Sequence, residues 1–345
     1  MQTKLLVDYL QNYRGRPLKL MEVCGTHTAA LYRSGLRNLL PPSVQLLSGP
    51  GCPVCVTPTA YIDKLVDLSR QPGHCVLSFG DMLAVPGSRD SLLSARARGG
   101  HCDFFYQPED VLERAAREPQ TTFILAAVGF ETTAPVWAAL AETILARGLT
   151  NIKFLTALKT MPQVLEELCR TADIDGFLCP GHVAVITGSE IFRPLAVRYH
   201  KPMVVGGFTP ELLAAALCRL VSAASHKEAG LWNEYGAFVK PQGNVKAQAL
   251  LQKVFTAGPA SWRGLMVLPA SGLYLQGPYA VLDAGSRGLD ADQIPPGCSC
   301  GQVLTGRLTS RECPLFGKAC MPSQPVGACM VSNEGSCRIV YEEQG

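Results

Sequence analysis

No apolar run in this chain offers a bilayer-spanning segment. The stretch Phe123 to Phe130 is apolar, but far shorter than the roughly 20 residues a transmembrane helix requires. A surplus of one charge sign is also missing. The net charge is +3 and no lysine or arginine block occurs, which argues against a nucleic-acid partner. Aromatic residues are sparse at 7 % and are not interleaved with basic ones, so the second signature of nucleic-acid binding is absent as well. Neither G-x-G-x-x-G nor the Walker pattern is present, which leaves a phosphate-cradling loop without support. The N-terminal MQTKLLVDYLQNYRGRPLK scatters its charges and has no signal-peptide core. Together these absences lead to the expectation of a cytoplasmic protein with no membrane and no nucleic acid among its partners.

Cysteine, by contrast, is abundant, at 14 residues in 345. Structural disulfides do not persist in a reducing compartment, so these thiols are expected to be ligands, nucleophiles or redox groups. Cys75, Cys102, Cys169 and Cys218 are read as plain buried apolar residues. Cys52 and Cys55 lie in Gly49-Pro-Gly-Cys-Pro-Val-Cys-Val-Thr-Pro58, a loop stiffened by proline. Two thiols at this spacing can close a disulfide, share a metal or exchange electrons. The apolar run Val44 to Leu47 precedes them and a helical pattern, Thr59 to Ser69, follows. That places the pair at the carboxyl end of a strand, where open α/β sheets carry their working residues.

The same phrase occurs earlier, as a strand over Leu18 to Val23, the turn Cys24-Gly-Thr-His-Thr28, and a helix over Ala29 to Leu40. Cys24 then stands near a helix N-terminus, where the dipole favours thiolate. His27 could donate a hydrogen bond to it or raise the thiolate fraction; equally it could cap the helix or pack in the turn. Strand-turn-helix recurs at Cys75 to Asp81, Phe123 to Pro135, Gly176 to Val183 and Met203 to Pro210. Alternating strands and helices specify an α/β fold with mostly parallel sheets. The short matches Phe-Gly-Asp, Gly-Phe-Glu and Gly-Phe-Thr hint at two related halves. The expected architecture is two similar parallel-sheet α/β domains around a cleft, residues 1–117 and 118–225, plus a small loop-rich domain, 226–345, whose cysteines make it an iron–sulfur domain.

Gly129 to Pro135 places Glu131, Thr132 and Thr133 at a strand-to-helix turn, suited either to capping or to binding an anion or substrate. His182, in Pro180-Gly-His182, is a ligand, a proton donor or a loop histidine. The tail carries Cys298, Cys300, Cys313, Cys320, Cys329 and Cys337. A loop-rich domain buries little apolar area and often needs a metal. Structural zinc favours paired knuckles, absent here, whereas wide spacing and the Cys313-Pro314 step suit an iron–sulfur cluster better. The residue chemistry ranks iron–sulfur first and leaves zinc open.

Taken in order, Cys24–Thr28, Gly49–Pro58, Ser78–Met82, Gly129–Pro135 and Cys179–Val183 resemble the HypD family of nickel–iron hydrogenase maturation factors, across nearly the whole chain. The tail spacing is similar too: 14 residues separate Cys298 from Cys313, 6 separate Cys313 from Cys320, and 16 separate Cys320 from Cys337. The resemblance implies that these four ligate a 4Fe–4S cluster, with Cys300 and Cys329 outside the set. It implies a scaffold for assembling the Fe(CN)2CO unit of the hydrogenase, working with a HypC-type chaperone and a HypE-type cyanide donor, and a monomer when free. Cys24 would hold the iron, supported by His27. Cys52 and Cys55 would be a redox-active pair facing the Cys24 turn across a cleft, with the tail cluster as electron relay. Glu131 and His182 complete the candidate site. The chain departs from the family pattern at Thr209, where glutamate is expected. A stand-alone iron–sulfur thiol–disulfide reductase is the alternative function, and a zinc-stabilised adaptor the third.

Overall fold

The computed structural model describes residues 2–343. Eleven strands are present among them: β1 Leu18–Glu22, β2 Val44–Ser48, β3 His74–Ser78, β4 Cys102–Phe104, β5 Thr122–Gly129, β6 Ile152–Lys159, β7 Gly176–Pro180, β8 Pro202–Gly206, β9 Gly230–Asn233, β10 Phe255–Ser261 and β11 Val267–Leu275. They form two sheets. The first has the order β2-β1-β7-β8-β9, and all its pairings are parallel. The second has the order β10-β11-β6-β5-β3-β4, parallel from β6 to β4 and closed by the antiparallel β10–β11 hairpin. Counted within each sheet, the parallel strands share one pattern: the second strand lies outside the first, and the later ones add on its other side. Each sheet thus has a switch point beside its first strand, where open α/β sheets place ligands.

The two sheets are nested rather than consecutive. β3 to β6 fall in the chain between β2 and β7, so the second sheet is built from a segment inserted into the first. The sequence expectation, 1–117 against 118–225, assigns β1–β4 to one unit and β5–β8 to the next; strand pairing divides the chain differently. β1 accepts β2 on one edge and β7 on the other, Leu20 registering with both Leu46 and Gly176. Residues 226–345 likewise are not wholly a separate domain, because β10 and β11 extend the second sheet.

Alternation along the strands explains the layering. In β1, Leu18 and Leu20 join an outer core with Leu46, Leu178, Val204 and the helix Pro210–Ser225, while Met21 turns inward. In β5, Phe123, Leu125 and Ala127 face a second outer core with Trp137, Ile144 and Phe154. Ile124, Ala126 and Val128 face inward, and join Met21, Phe177, Met203 and the tail's Leu304 and Met330 in one central core. Each fully buried Leu, Val or Phe contributes roughly 1.5–3 kcal/mol. The tail is short on regular structure, with helices over Cys300–Leu304, Ala328–Val331 and Ser336–Glu342. It packs across both sheets: Ser336–Glu342 meets the helix Gly25–Arg33, and Ala328–Val331 meets the 3-10 turn Asp81–Ala84. No helix among the described residues is long and apolar enough to cross a membrane.

Candidate metallocentre and redox site

The carboxyl ends of β2, β1, β7 and β8 are neighbours, so their loops meet along one edge. They carry, in that order, Cys52 and Cys55, then Cys24 and His27, then His182, then Phe208. Cys24 is the N-cap of the helix Gly25–Arg33. Its thiol is 8 % exposed and is pushed up to about 12 by burial, against the pull of the His27 and Thr26 backbone N–H groups. The helix terminus therefore does act on Cys24, but desolvation wins and the unliganded group is a thiol.

Glu22, the last residue of β1, is fully buried beneath this turn. Its carboxylate accepts from the Cys24 N–H at 3.0 Å and from the Thr28 hydroxyl, which fixes the turn. Burial raises its pKa, opposed by bonds from Thr28, Ser48 and the Cys24 N–H. A carboxylate inside an apolar strand is the sequence signal for this residue, masked because Leu18 to Val23 is otherwise complete as a core strand.

His27 is also fully buried. Its Nε2–H donates to the Gly206 carbonyl at 3.2 Å, and Nδ1 has no partner among the described residues. That bond selects the tautomer whose lone pair sits on Nδ1. Burial holds the ring at about 4, so it is a neutral imidazole at physiological pH. Phe208 lies between the two histidines, 4.6 Å from the His27 ring and 3.8 Å from that of His182, which occupies the exposed end of the stack. Thr209, in the position of the expected glutamate, caps the helix Pro210–Ser225, accepting from the Leu212 N–H at 3.5 Å.

Cys52 and Cys55 are joined as a disulfide with Cα atoms 5.3 Å apart. Gly51 lies directly against the Cys24 backbone, where a side chain would collide with Cys24 N and Cα. The Gly25 N–H donates to the Gly51 carbonyl at 3.1 Å. The disulfide loop is thus packed against the Cys24 turn. Its other side faces the tail, with Cys55 Sγ 4.0 Å from the Ala328 carbonyl oxygen. Glu334, from the tail, reaches back over the turn. Its backbone and Cβ cover Gly25, and Oε1 accepts from the Thr26 hydroxyl at 3.2 Å. No local sequence pattern announces Glu334, which arrives at the site only through tertiary packing.

Glu131 stands apart from this edge, at the switch point of the second sheet. Oε1 accepts from the Met161 N–H at 2.8 Å, at the start of the helix Met161–Thr171, and Oε2 is buried without a partner among the described residues. Burial raises its pKa from 4.5 to about 7. The folded chain then keeps a proton that the unfolded chain releases above about pH 4.5. Stability consequently falls as pH rises through that window and levels off above it, by about 3 kcal/mol in all. Glu131→Gln is expected to flatten this slope while preserving the Met161 bond. Urea midpoints measured from acid to neutral pH check it, and a slope that survives the substitution assigns the titration elsewhere.

The tail cysteines converge. Cys298 and Cys300 have sulfurs 3.1 Å apart, and a side chain at Gly327 would strike both. Cys329 lies near enough to Cys300 to raise its thiol, and Cys313 lies within electrostatic reach of Cys337 together with Cys298 and Cys300. Cys320 sits on the neighbouring turn, accepting from the Val326 N–H at 3.3 Å. The Cys298 thiol is pushed up by its bond to Cys300 and by burial, and pulled back by the Arg263 guanidinium. Among the described residues no three His, Cys, Asp or Glu groups stand at the spacing of a single-ion site. The donor set is all sulfur, and Arg263, whose chain neighbour Gly264 presses on Gly301 of the tail, buries an Nη2 without a partner among the described residues. Both features fit an anionic, thiolate-ligated group, which is the chemistry of an iron–sulfur cluster.

Comparison with known proteins places this geometry in context. A family model described as "HypD: Hydrogenase formation hypA family" matches residues 2–344. The hydrogenase maturation factor HypD of Escherichia coli (strain K12) is 39 % identical over 333 residues, covering 95 % of this chain and 89 % of its own. The HypD of Azotobacter vinelandii is 38 % identical, with 94 % and 89 % covered. That of Rhodobacter capsulatus is 36 % identical, with 99 % and 93 % covered.

Proposed function

Because this chain belongs to the HypD family of hydrogenase formation proteins, we propose that it is the scaffold on which the Fe(CN)2CO unit of a nickel–iron hydrogenase is assembled. One observation carries this: the Cys52–Cys55 disulfide is packed between the Cys24 turn and the cysteine-rich tail. A metal-anchoring thiol, an exchangeable disulfide and a thiolate cluster site thus follow one another in space.

In this scheme Cys24 holds the incoming iron as thiolate, a soft donor suited to a metal carrying cyanide and carbonyl. Iron displaces the thiol proton. The backbone N–H groups of His27 and Thr26, which pull the thiol's pKa down against burial, offset the negative charge that remains. His27, neutral and fixed by Gly206, offers an unpaired Nδ1 beneath the site, and His182 stands at its exposed rim. Cys298, Cys313, Cys320 and Cys337 would hold a 4Fe–4S cluster, which supplies electrons one at a time when bound. Cys52 and Cys55 take up two electrons and two protons on opening to the dithiol. A HypC-type chaperone and a HypE-type cyanide donor are the partners, meeting the carboxyl edge of the first sheet where His182 is exposed.

The test is infrared spectroscopy on protein prepared anaerobically together with its small chaperone, combined with iron, sulfide and zinc analysis. Cyanide and carbonyl stretching bands on a protein that also carries cluster iron are expected. A preparation that has the cluster and reduces disulfide substrates, yet never shows the bands, would overturn the assembly role in favour of a reductase.

A further inference from the structure

Arg263 is an anomaly in the core. It is 2 % exposed, and its guanidinium makes one hydrogen bond, from Nη1 to the Pro86 carbonyl at 2.9 Å. Nη2 is buried without a partner among the described residues. The carboxylate on the adjoining loop, Asp292, spends its oxygens on the Gly264 N–H at 2.8 Å and the Thr59 N–H at 3.2 Å. A guanidinium stays charged when buried, and a buried charge is costly without a counter-charge.

The surroundings hold this side chain in place. Its backbone N–H donates to the carbonyl of Val56, the residue after Cys55, at 2.9 Å. Trp262 before it is buried, bonded to Ser271 at 3.0 Å and stacked on Phe130. Gly264 after it is pressed against Gly301, next to Cys300, so tightly that a side chain at Gly301 would strike the Gly264 carbonyl. The arginine is therefore clamped between the disulfide loop and the tail cysteines.

We propose that Arg263 is the counter-charge of the thiolate-ligated cluster, clamped between the disulfide loop and the Cys300–Gly301 turn of the tail to stabilise the added electron and so raise the cluster's reduction potential. The proposal rests on the cluster assigned above. Four thiolates bring a net negative charge to the cluster, and one-electron reduction adds another beside the guanidinium. Net charge and hydrogen bonding near the sulfurs are levers that set such potentials. Arg263 is a positioning residue in this sense: it acts through the cluster, with no contact to the iron cargo.

The experiment compares wild type, Arg263→Lys and Arg263→Met in full-length protein, each reconstituted anaerobically and titrated with dithionite under electron paramagnetic resonance. Arg263→Met is expected to shift the reduced-to-oxidised ratio at fixed potential about tenfold toward oxidised, equivalent to about 59 mV for a one-electron couple. Arg263→Lys keeps the charge and should stay within about threefold of wild type. Urea denaturation adds a readout free of redox chemistry. Stripped of metal, Arg263→Met should be at least as stable as wild type, with the order reversed once the cluster is bound. Equal midpoints in all three proteins at equal iron and sulfide content would overturn the proposal. So would an Arg263→Met protein that fails to fold with or without cluster while Arg263→Lys folds. A wild type holding zinc, or no sulfide, is a different failure, of the cluster itself.

Discussion

Cys24→Ala is expected to fold normally and to carry no cyanide-ligated iron. The side chain is small and lies at the end of a strand, so its loss costs about 1 kcal/mol of stability. Glu22 still holds the turn through the backbone N–H of residue 24, which alanine retains. What disappears is the free thiol of the turn that follows β1. Cys52 and Cys55 are tied to each other, and Cys179, at the end of β7, is fully buried in the central core. Infrared bands and hydrogenase maturation should therefore fall by more than about 100-fold, beyond the loss typical when a residue that only orients a metal's ligand is changed, with cluster iron unaltered. Cys24→Ser should behave alike, because a hydroxyl accepts the same N–H groups but is a poor ligand for low-spin iron. Bands persisting in both variants would remove Cys24 from the role.

The second large effect is expected in the tail. Alanine at Cys298, Cys313, Cys320 or Cys337 should reduce iron from roughly four per chain to less than one. Alanine at Cys300 or Cys329 should leave it near wild type. The geometry makes this a sharp contrast, since Cys300 lies 3.1 Å from Cys298 while Cys320 sits on the adjacent turn. Iron lost from Cys300→Ala and kept in Cys320→Ala would exchange the two in the ligand set. Loss of the cluster should also be felt at a distance. Glu334 stands three residues before Cys337 and covers Gly25, so a loosened tail uncovers the Cys24 turn. Amide exchange at Gly25 and Thr26 should accelerate in the cluster-less variants and stay slow in Cys300→Ala.

Much of this was readable from the chain. β1, β3, β5, β7 and β8 were legible because each is a short apolar run ending in a glycine- or cysteine-bearing turn. β6 was not, since Ile152 to Lys159 mixes strong helix formers with lysines at both ends. β10 and β11 were hidden by Gly258, Pro259, Pro269 and Gly272, which read as loop. They are tolerated because the hairpin carries a register shift between Gly258 and Ala260, where a residue without an N–H or side chain fits. Cys24, His27, Cys52 and Cys55 stand out in the sequence because their chemistry is local in it, and the fold brings them to one edge. Glu22, Phe208, Arg263 and Glu334 matter through what they touch from afar, and local pattern holds no record of that. Glu131, expected within the same candidate site, lies instead at the second sheet's edge.

The nesting of one sheet inside the other also governs how the chain must fold as it is made. β3 to β6 leave the ribosome consecutively and can assemble their parallel sheet at once. β1 and β2 emerge earlier, but β7 follows only after the whole inserted segment. At typical synthesis rates that interval is on the order of 10 s. Throughout it, one edge of β1 is an unpaired strand with apolar faces, the surface most prone to wrong association. Newly made chains are thus expected to depend on chaperones early, and the Cys24 turn is completed only once β7 and β8 arrive.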